Sequence, residues 1–138
     1  MTAREYLERP EAMRLEIRRK QARIETLRRL ATRFSAPLSD VRVQASPEPS
    51  RLETFLAEAA DEEREIRLLE EQRQQALADA ALLISRLPEE KLARVLEMRY
   101  LDRLSWEEIT DRMDCCASHV YRLHQLALDL LSPPPETG

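Results

Sequence analysis

The stretch ASHVYRLHQ, residues 117–125, concentrates side chains that form directional hydrogen bonds. An arginine can donate two hydrogen bonds to guanine, a glutamine can exchange two with adenine, and serine, histidine or tyrosine can reach a base or a phosphate. Each residue taken alone equally suits an ordinary solvent-exposed position, so the prediction depends on the whole set. On a helix, one outer face carries the candidate DNA-binding residues Ala117, Ser118, His119, Tyr121, Arg122 and Gln125.

The residues around this stretch predict two short helices joined by a tight turn. Ser105 with Glu108 three residues later is a capping box, which begins a helix by satisfying free N–H groups. Asp114 is one of the few non-glycine residues that tolerate the left-handed conformation of a sharp turn. In a helix-turn-helix the outer face of the second helix can enter a major groove. Apolar side chains recur at the internal spacing of that motif at Ile109, Met113, Cys115, Val120 and Leu123.

Two long amphipathic helices are predicted upstream. From Pro10 to Phe34, and again from Arg51 to Leu87, mostly apolar residues alternate steps of three and four, as they do in coiled coils, and Lys20 is the only polar residue of the first stripe. We expect Pro10 in the first turn of its helix, where a missing N–H costs no hydrogen bond. Residues 5–9 would then form either a separate short helix or a kinked extension.

The charges of these two helices are complementary. Residues 1–34 contain ten Arg or Lys and five Glu, whereas residues 51–87 contain five basic and nine acidic residues. We therefore expect an antiparallel hairpin in which Lys20 lies near Glu62 or Glu63. The same apolar stripes suit association between chains, so a homo-oligomer, with a dimer favoured, is also expected. The basic residues of the first helix either pair with the acidic helix or contact phosphate: Arg18, Arg19, Lys20, Arg23, Arg28 and Arg29.

The remaining segments complete an all-α chain. Residues 35–50, SAPLSDVRVQASPEPS, contain three prolines and four serines without a helical period, which predicts a connection between helices. Pro88 followed by two glutamates predicts the start of a third helix that reaches about residue 101. The predicted organisation is a helical hairpin and oligomerisation region over 1–87, a trihelical domain over 88–131 and a disordered tail over 132–138.

Residues 96–131, LEMRYLDRLSWEEITDRMDCCASHVYRLHQLALDLL, resemble region 4 of sigma-70-type factors, which recognises the promoter −35 element. The form is similar to that of small phage-encoded transcriptional regulators of the ArpU and RinA groups. The words LEMRYLD, SWEEI and VYRLHQLAL carry this likeness, and REYLERP, ATRFSAPLSDVRVQAS and the acidic helix resemble the N-terminal part of an uncharacterised phage family. The resemblance implies a trihelical helix-turn-helix domain over 88–131 that contacts double-stranded DNA through Ala117, Ser118 and Arg122, with RNA polymerase as a further partner.

Three residues depart from the pattern of that family. Thr110 replaces the usual alanine at the helix crossing, and Asp114 replaces the usual glycine or asparagine. Cys116 replaces the serine or threonine that normally caps the second helix. A weaker cap costs about 1 kcal/mol of stability, which is too little to abolish the fold.

Charge and composition limit the other function classes. The net charge is −4, and residues 88–138 hold six basic and ten acidic residues, so any attraction to phosphate must be local. There is no glycine-rich phosphate loop, and the adjacent Cys115 and Cys116 cannot supply a metal site alone, so we expect no enzyme, cofactor or metal centre. No apolar run approaches the roughly 20 residues of a membrane span, which predicts a cytoplasmic protein. A phage assembly or DNA-packaging subunit, and an interaction module that reads no bases, remain alternatives.

Overall fold

The computed structural model describes residues 1–34 and 50–135, and the part of the chain that it describes is helical without any β-strand. The all-α prediction is therefore confirmed. The predicted connection lies outside the described residues except for Ser50, and so does the end of the predicted tail. The helices are α1 (Ala3–Phe34), α2 (Arg51–Ile84), α3 (Glu90–Leu96), α4 (Trp106–Met113) and α5 (Ala117–Leu130), and Glu97–Leu101 extends α3 as a π-helical turn.

The chain divides into two compact units. The hairpin unit comprises Met13–Gln72, which takes in most of α1 and the first part of α2. The bundle unit comprises Met1–Ala12 together with Arg73–Gly138, so the start of α1 and the end of α2 belong to it with α3, α4 and α5.

In the hairpin unit α1 packs on α2 along the predicted apolar stripes. The ring of Phe34, at the end of α1, lies 5.7 Å from that of Phe55, near the start of α2, so the two helices run in opposite directions. The prediction that the first long helix packs on the second is confirmed. The buried seam consists of Ile17, Ile24, Leu27, Ala59 and Ile66.

Lys20 sets the polar contacts at this seam. Its Nζ donates to Glu62 at 3.2 Å and to Glu65 at 2.5 Å, so the predicted contact with Glu62 is present. Glu63, the other predicted partner, instead pairs with Arg28. The hydrogen bond with Glu65 raises the pKa of Lys20 above its ordinary value, against the opposing effect of desolvation. Because a shift of α1 along α2 would separate Lys20 from both carboxylates, these contacts favour one register.

In the bundle unit the start of α1 is buried against other helices, which explains an error in the sequence prediction. The prediction that Pro10 lies in the first helical turn is wrong, because α1 begins at Ala3 and contains Pro10 in its interior. A proline there leaves the carbonyl of Tyr6 without its usual N–H donor. The Nε of Arg9 donates to that oxygen at 3.3 Å, and the guanidinium of Arg9 lies 4.0 Å from the centre of the Tyr6 ring.

Burial decides the energetic balance at Pro10. An interior proline costs a helix about 3 kcal/mol. Leu7 is 1% exposed and Tyr6 is 8% exposed, and burying one leucine side chain contributes about 1.5 to 3 kcal/mol. Two such side chains offset the proline, so residues 5–9 continue α1 rather than forming a separate helix.

The connection between α3 and α4 is tied to α1 within the bundle unit. The backbone N–H of Asp102 donates to the carbonyl of Glu97 at 2.9 Å, which gives the π-helical turn its wider hydrogen-bond spacing. Arg103 then adopts a positive φ of 61°. Its guanidinium forms an ion pair with Glu11 at 3.1 Å, which holds this left-handed residue in place.

We expect replacement of Leu83 by alanine to destabilise the protein far more than the same replacement at its neighbour. Leu83 is 3% exposed in the core of the bundle unit, whereas Leu82 is 65% exposed. Leu83→Ala should lower the free energy of unfolding by about 2 to 5 kcal/mol because it leaves a cavity. Leu82→Ala, the matched control, should change it by less than about 0.5 kcal/mol. Urea unfolding followed by circular dichroism measures both, and equal losses would contradict this placement of α2.

Candidate functional site

The turn between α4 and α5 is held by the local interactions that the sequence predicts. The N–H of Glu108 donates to the Oγ of Ser105 at 3.1 Å, and the N–H of Ser105 donates to the Oε1 of Glu108 at 3.2 Å, which confirms the capping box. The hydrogen bond from the Ser105 backbone N–H, with a further contribution from the Ser105 hydroxyl, lowers the pKa of the Glu108 carboxyl. Asp114 ends α4 with φ 53° and ψ 45°, the predicted left-handed conformation.

The inner face of α5 packs into a small apolar core. Val120 is 1% exposed and contacts a cluster with Val95, Met98 and Ile109, the last of which is fully buried. Met113, Cys115 and Leu123 pack against the same cluster. Leu131 is buried at the end of α5, whereas Leu130 is 52% exposed. The apolar spacing predicted from the sequence therefore corresponds to one packed cluster.

The beginning of α5 has no side-chain cap, and its first turn is closed by ordinary backbone hydrogen bonds. The carbonyl of Cys116 accepts hydrogen bonds from the N–H groups of His119 and Val120, both at 3.1 Å. The thiol of Cys116 lies 3.3 Å from the Oγ of Ser118, and this contact lowers the pKa of the thiol. The sequence prediction of a weak cap at this position agrees with the absence of a capping hydrogen bond from the Cys116 side chain.

The predicted DNA-binding residues lie together on the face of α5 opposite this core. Five of them are exposed and His119 is partly buried. Arg122 is exposed and forms no ion pair with any described residue. Gln125 donates through Nε2 to the Oδ1 of Asp129 at 2.8 Å. The exposed members of the set are Ala117, Ser118, Tyr121, Arg122 and Gln125.

Trp106 organises one edge of this face, a role that sequence reasoning missed. The centre of its ring lies 4.9 Å from the centre of the Tyr121 ring. The guanidinium of Arg99, which belongs to the π-helical turn, lies 4.4 Å from the centre of the Trp106 ring. Arg99 also donates through Nη1 to the carbonyl of Leu104 at 3.1 Å. Tyr121 is 49% exposed, so it is both a surface residue and a packed one. The single tryptophan beside the capping serine was the available sequence signal.

His124 is a second residue whose role sequence reasoning missed. It is 6% exposed, and its Nε2 is hydrogen-bonded to the Oη of Tyr100 at 2.7 Å. The rings of His124 and Trp106 pack in a T-shaped arrangement with their centres 4.8 Å apart. Burial lowers the pKa of His124 to about 4, and the charges of Arg4 and Arg99 act in the same direction. Burial also raises the pKa of Tyr100. A neutral imidazole therefore occupies the core behind the exposed face of α5.

A family comparison covers most of this structure. The family described as a protein of unknown function, DUF1492, matches residues 38–132. The chain belongs to the DUF1492 family. The matched range contains α2 to α5 and every predicted DNA-binding residue, while α1 precedes it. Searches of curated proteins and of solved structures each found no significant match. Membership of the ArpU and RinA groups stays a prediction.

Two further properties of the DUF1492 chain concern other kinds of site. In residues 1–34 and 50–135 no helix has both the length and the apolar character to cross a membrane. Over the same residues, no group of three or more His, Cys, Asp or Glu side chains is arranged to hold a metal ion.

We expect the DUF1492 protein to lose stability in acid partly because of His124. The ordinary pKa of 6.5 applies when the chain is unfolded, and the folded value is about 4. Between these values the unfolded chain binds a proton that the folded chain does not, so stability falls as the pH falls through this window. The loss should be on the order of 2 to 3 kcal/mol.

Denaturant unfolding of the natural protein and of His124→Gln, at pH 7 and near pH 4, measures this loss. Carboxylates also titrate in this range. Because the variant lacks the imidazole, its loss of stability between the two pH values measures the contribution of the carboxylates alone. The variant should lose less stability than the natural protein between the two pH values. Equal losses would show that His124 does not titrate differently in the folded and unfolded chains.

Proposed function

We propose that this DUF1492 protein is a sequence-specific DNA-binding transcriptional regulator. In this proposal α3, α4 and α5 form a sigma-70 region 4-like domain, with α5 as the helix that enters the major groove. The observation that supports it best is the two-sided character of α5. Its inner face is buried with Val120 and His124, while Ser118, Arg122 and Gln125 project from the other side. Such a helix is supported rigidly and still presents hydrogen-bonding groups to a groove.

Arg122 is the side chain of α5 that is best suited to read a base. A helix of 14 residues is about 21 Å long and fits a major groove about 12 Å wide. The guanidinium of Arg122, which pairs with no acid among the described residues, can donate two parallel hydrogen bonds to the O6 and N7 of guanine. Gln125 must leave Asp129 before its amide can both donate to and accept from adenine. Arg122 therefore contributes to specificity without that cost.

Tyr121 suits contact with a phosphate rather than with a base. Its ring rests on Trp106, which limits the directions in which its hydroxyl can point. A hydroxyl held at one edge of the groove-facing surface can donate to a backbone oxygen and so set the position of the helix on the duplex. Ser118 and the N–H groups near the start of α5 are suited to the same task.

The charge of the domain limits how DNA can be bound. Residues 88–138 hold six basic and ten acidic residues, so bulk attraction to phosphate is absent. Affinity must come from direct contacts, and a dimer would double their number.

We therefore propose a homodimer through the hairpin unit, which a concentration-independent monomer mass in light scattering would contradict. The resemblance to the ArpU and RinA groups favours a phage or prophage origin.

A second candidate function is protein docking without base readout. Leu126 is 46% exposed and Leu130 is 52% exposed, and they lie four residues apart on α5. Exposed leucines at this spacing suit an apolar contact with a protein partner such as RNA polymerase or a phage assembly component. In a regulator both uses are compatible, because the leucines follow the proposed groove-facing residues in the chain. Readout of bases is what separates the two candidates.

Arg122→Ala should cost about 1 to 3 kcal/mol of specific DNA binding because it removes a base contact. Arg86→Ala is the matched control, since it removes an exposed arginine from the bundle unit outside α4 and α5. Fluorescence anisotropy on a selected site and on a scrambled site measures both variants, and circular dichroism checks that helicity is retained. An unchanged ratio of the two affinities in Arg122→Ala would contradict the role in readout.

The DNA sequence that the protein recognises should be identified by selection from random-sequence DNA with the purified full chain. A regulator of the proposed kind enriches a defined motif, and the separation of any half-sites gives the symmetry of the dimer. Recovery of sequences without a common motif would reject sequence readout. Binding to RNA polymerase that is lost in Leu126→Ala would then support the docking candidate.

A further inference from the structure

Apart from Arg14, the basic side chains of α1 in the hairpin unit separate into two groups. One group is neutralised locally by acids. Lys20 pairs with Glu62 and Glu65, and Arg19 pairs with Glu16. The same holds for Arg23, which pairs with Glu58 and Glu62, and for Arg28, which pairs with Glu63.

The other group, which we call the arginine stripe, consists of Arg18, Arg29 and Arg33. All three are exposed, and no acid among the described residues forms an ion pair with them. They are 11 and 4 residues apart, so at about 100° per residue they fall within roughly 60° of one another around the helix. This direction lies away from the seam that contains Ile17 and Ile24.

The surroundings of the arginine stripe leave its charge available. Arg29 donates through Nη2 to the Oγ1 of Thr26 at 3.3 Å, a neutral partner that occupies only one of its five donors. Glu25 lies at the border of the stripe but has no ion pair with any of its arginines. A depression beside the stripe is lined by Thr26, Arg29, Leu30, Thr32 and Arg33.

We infer that the arginine stripe binds the phosphate backbone of double-stranded DNA. This inference rests on the proposed function, to which it adds a second contact surface in the hairpin unit. From Arg18 to Arg33 the stripe is about 22 Å long. Duplex DNA carries one charge per about 1.7 Å of its axis, so a surface of this length faces several phosphates. A guanidinium matches a phosphate with two parallel hydrogen bonds.

A duplex fits this surface better than a protein does. Between Arg18 and Arg33 the same side of α1 carries Ala22 and Thr26, and the exposed Leu15 lies one turn before Arg18, outside this span. Stable protein interfaces have an apolar centre, which this surface lacks. Contacts to phosphate carry no sequence information, so the stripe adds affinity equally for every sequence, whereas α5 supplies the preference.

The test is a series of full-length variants in which the stripe is removed stepwise: R29Q, R18Q/R29Q and R18Q/R29Q/R33Q. Binding to the selected duplex and to a scrambled one is measured by fluorescence anisotropy between about 50 and 200 mM salt. The slope of log affinity against log salt should become shallower by about 0.9 for each arginine. At about 0.1 M salt, both affinities should fall roughly five- to tenfold per arginine, with their ratio unchanged.

The control is R64Q/R67Q, which removes two exposed arginines from α2 in the same unit. It changes the net charge as much as R18Q/R29Q does. Its salt slope should equal that of the natural protein if position matters rather than total charge. Circular dichroism of every variant checks that helicity is retained.

The outcomes separate the stripe from the function on which it rests. An unchanged slope across the series, or an equal change in R64Q/R67Q, overturns the inference while sequence readout by α5 stands. A change in mass by light scattering without a change in slope also overturns it and identifies the stripe as a contact between copies. If the natural protein binds both duplexes equally and the series lowers its slope, the stripe is supported and base readout is rejected. Absence of any DNA binding overturns both.

Discussion

The burial of one face of α5 is the constraint on which the bundle unit depends. Val120 and Ala127 lie against residues of α3 and α4, and this packing fixes the rotation of α5 about its own axis. The residues that remain outside are then determined. Arg122 is exposed because Val120 is buried, and the neutral His124 completes the inner side. If the packing were lost, the polar face would have no defined direction, and the proposed readout would lose its geometric basis.

Tertiary burial repeatedly outweighs local preference in this chain. Pro10 should end or begin a helix, yet α1 passes through it because Tyr6 and Leu7 are buried on the preceding turn. The carbonyl that loses its N–H partner obtains a donor from Arg9. Arg103 adopts a left-handed conformation that arginine disfavours. The ion pair between Arg103 and Glu11 offsets part of that cost. Each local exception coincides with a specific compensating contact.

Charge acts locally in both units. In the hairpin unit Lys20 reaches two carboxylates of α2, whereas Arg18 and Arg29 meet no acid among the described residues. In the bundle unit the total charge is unfavourable for DNA, yet Arg122 is exposed and forms no ion pair with any described residue. Net charge therefore describes neither surface well, since Coulomb attraction in salt fades over about 10 Å. The distribution of unpaired arginines is the more informative quantity for the proposed function.

The sequence by itself determined the elements whose causes are local. Three such features are the capping box at Ser105, the left-handed Asp114 and the apolar periodicities. Each depends on residues within a few positions of one another, so each can be predicted from the sequence without tertiary information. Tertiary structure alone decided which long-range contacts form. Examples are the path of α1 through Pro10 and the burial of His124 beside Tyr100. Both depend on contacts between residues far apart in sequence, which no local sequence pattern predicts. The physical reason is that packing energy belongs to pairs of elements rather than to any single one.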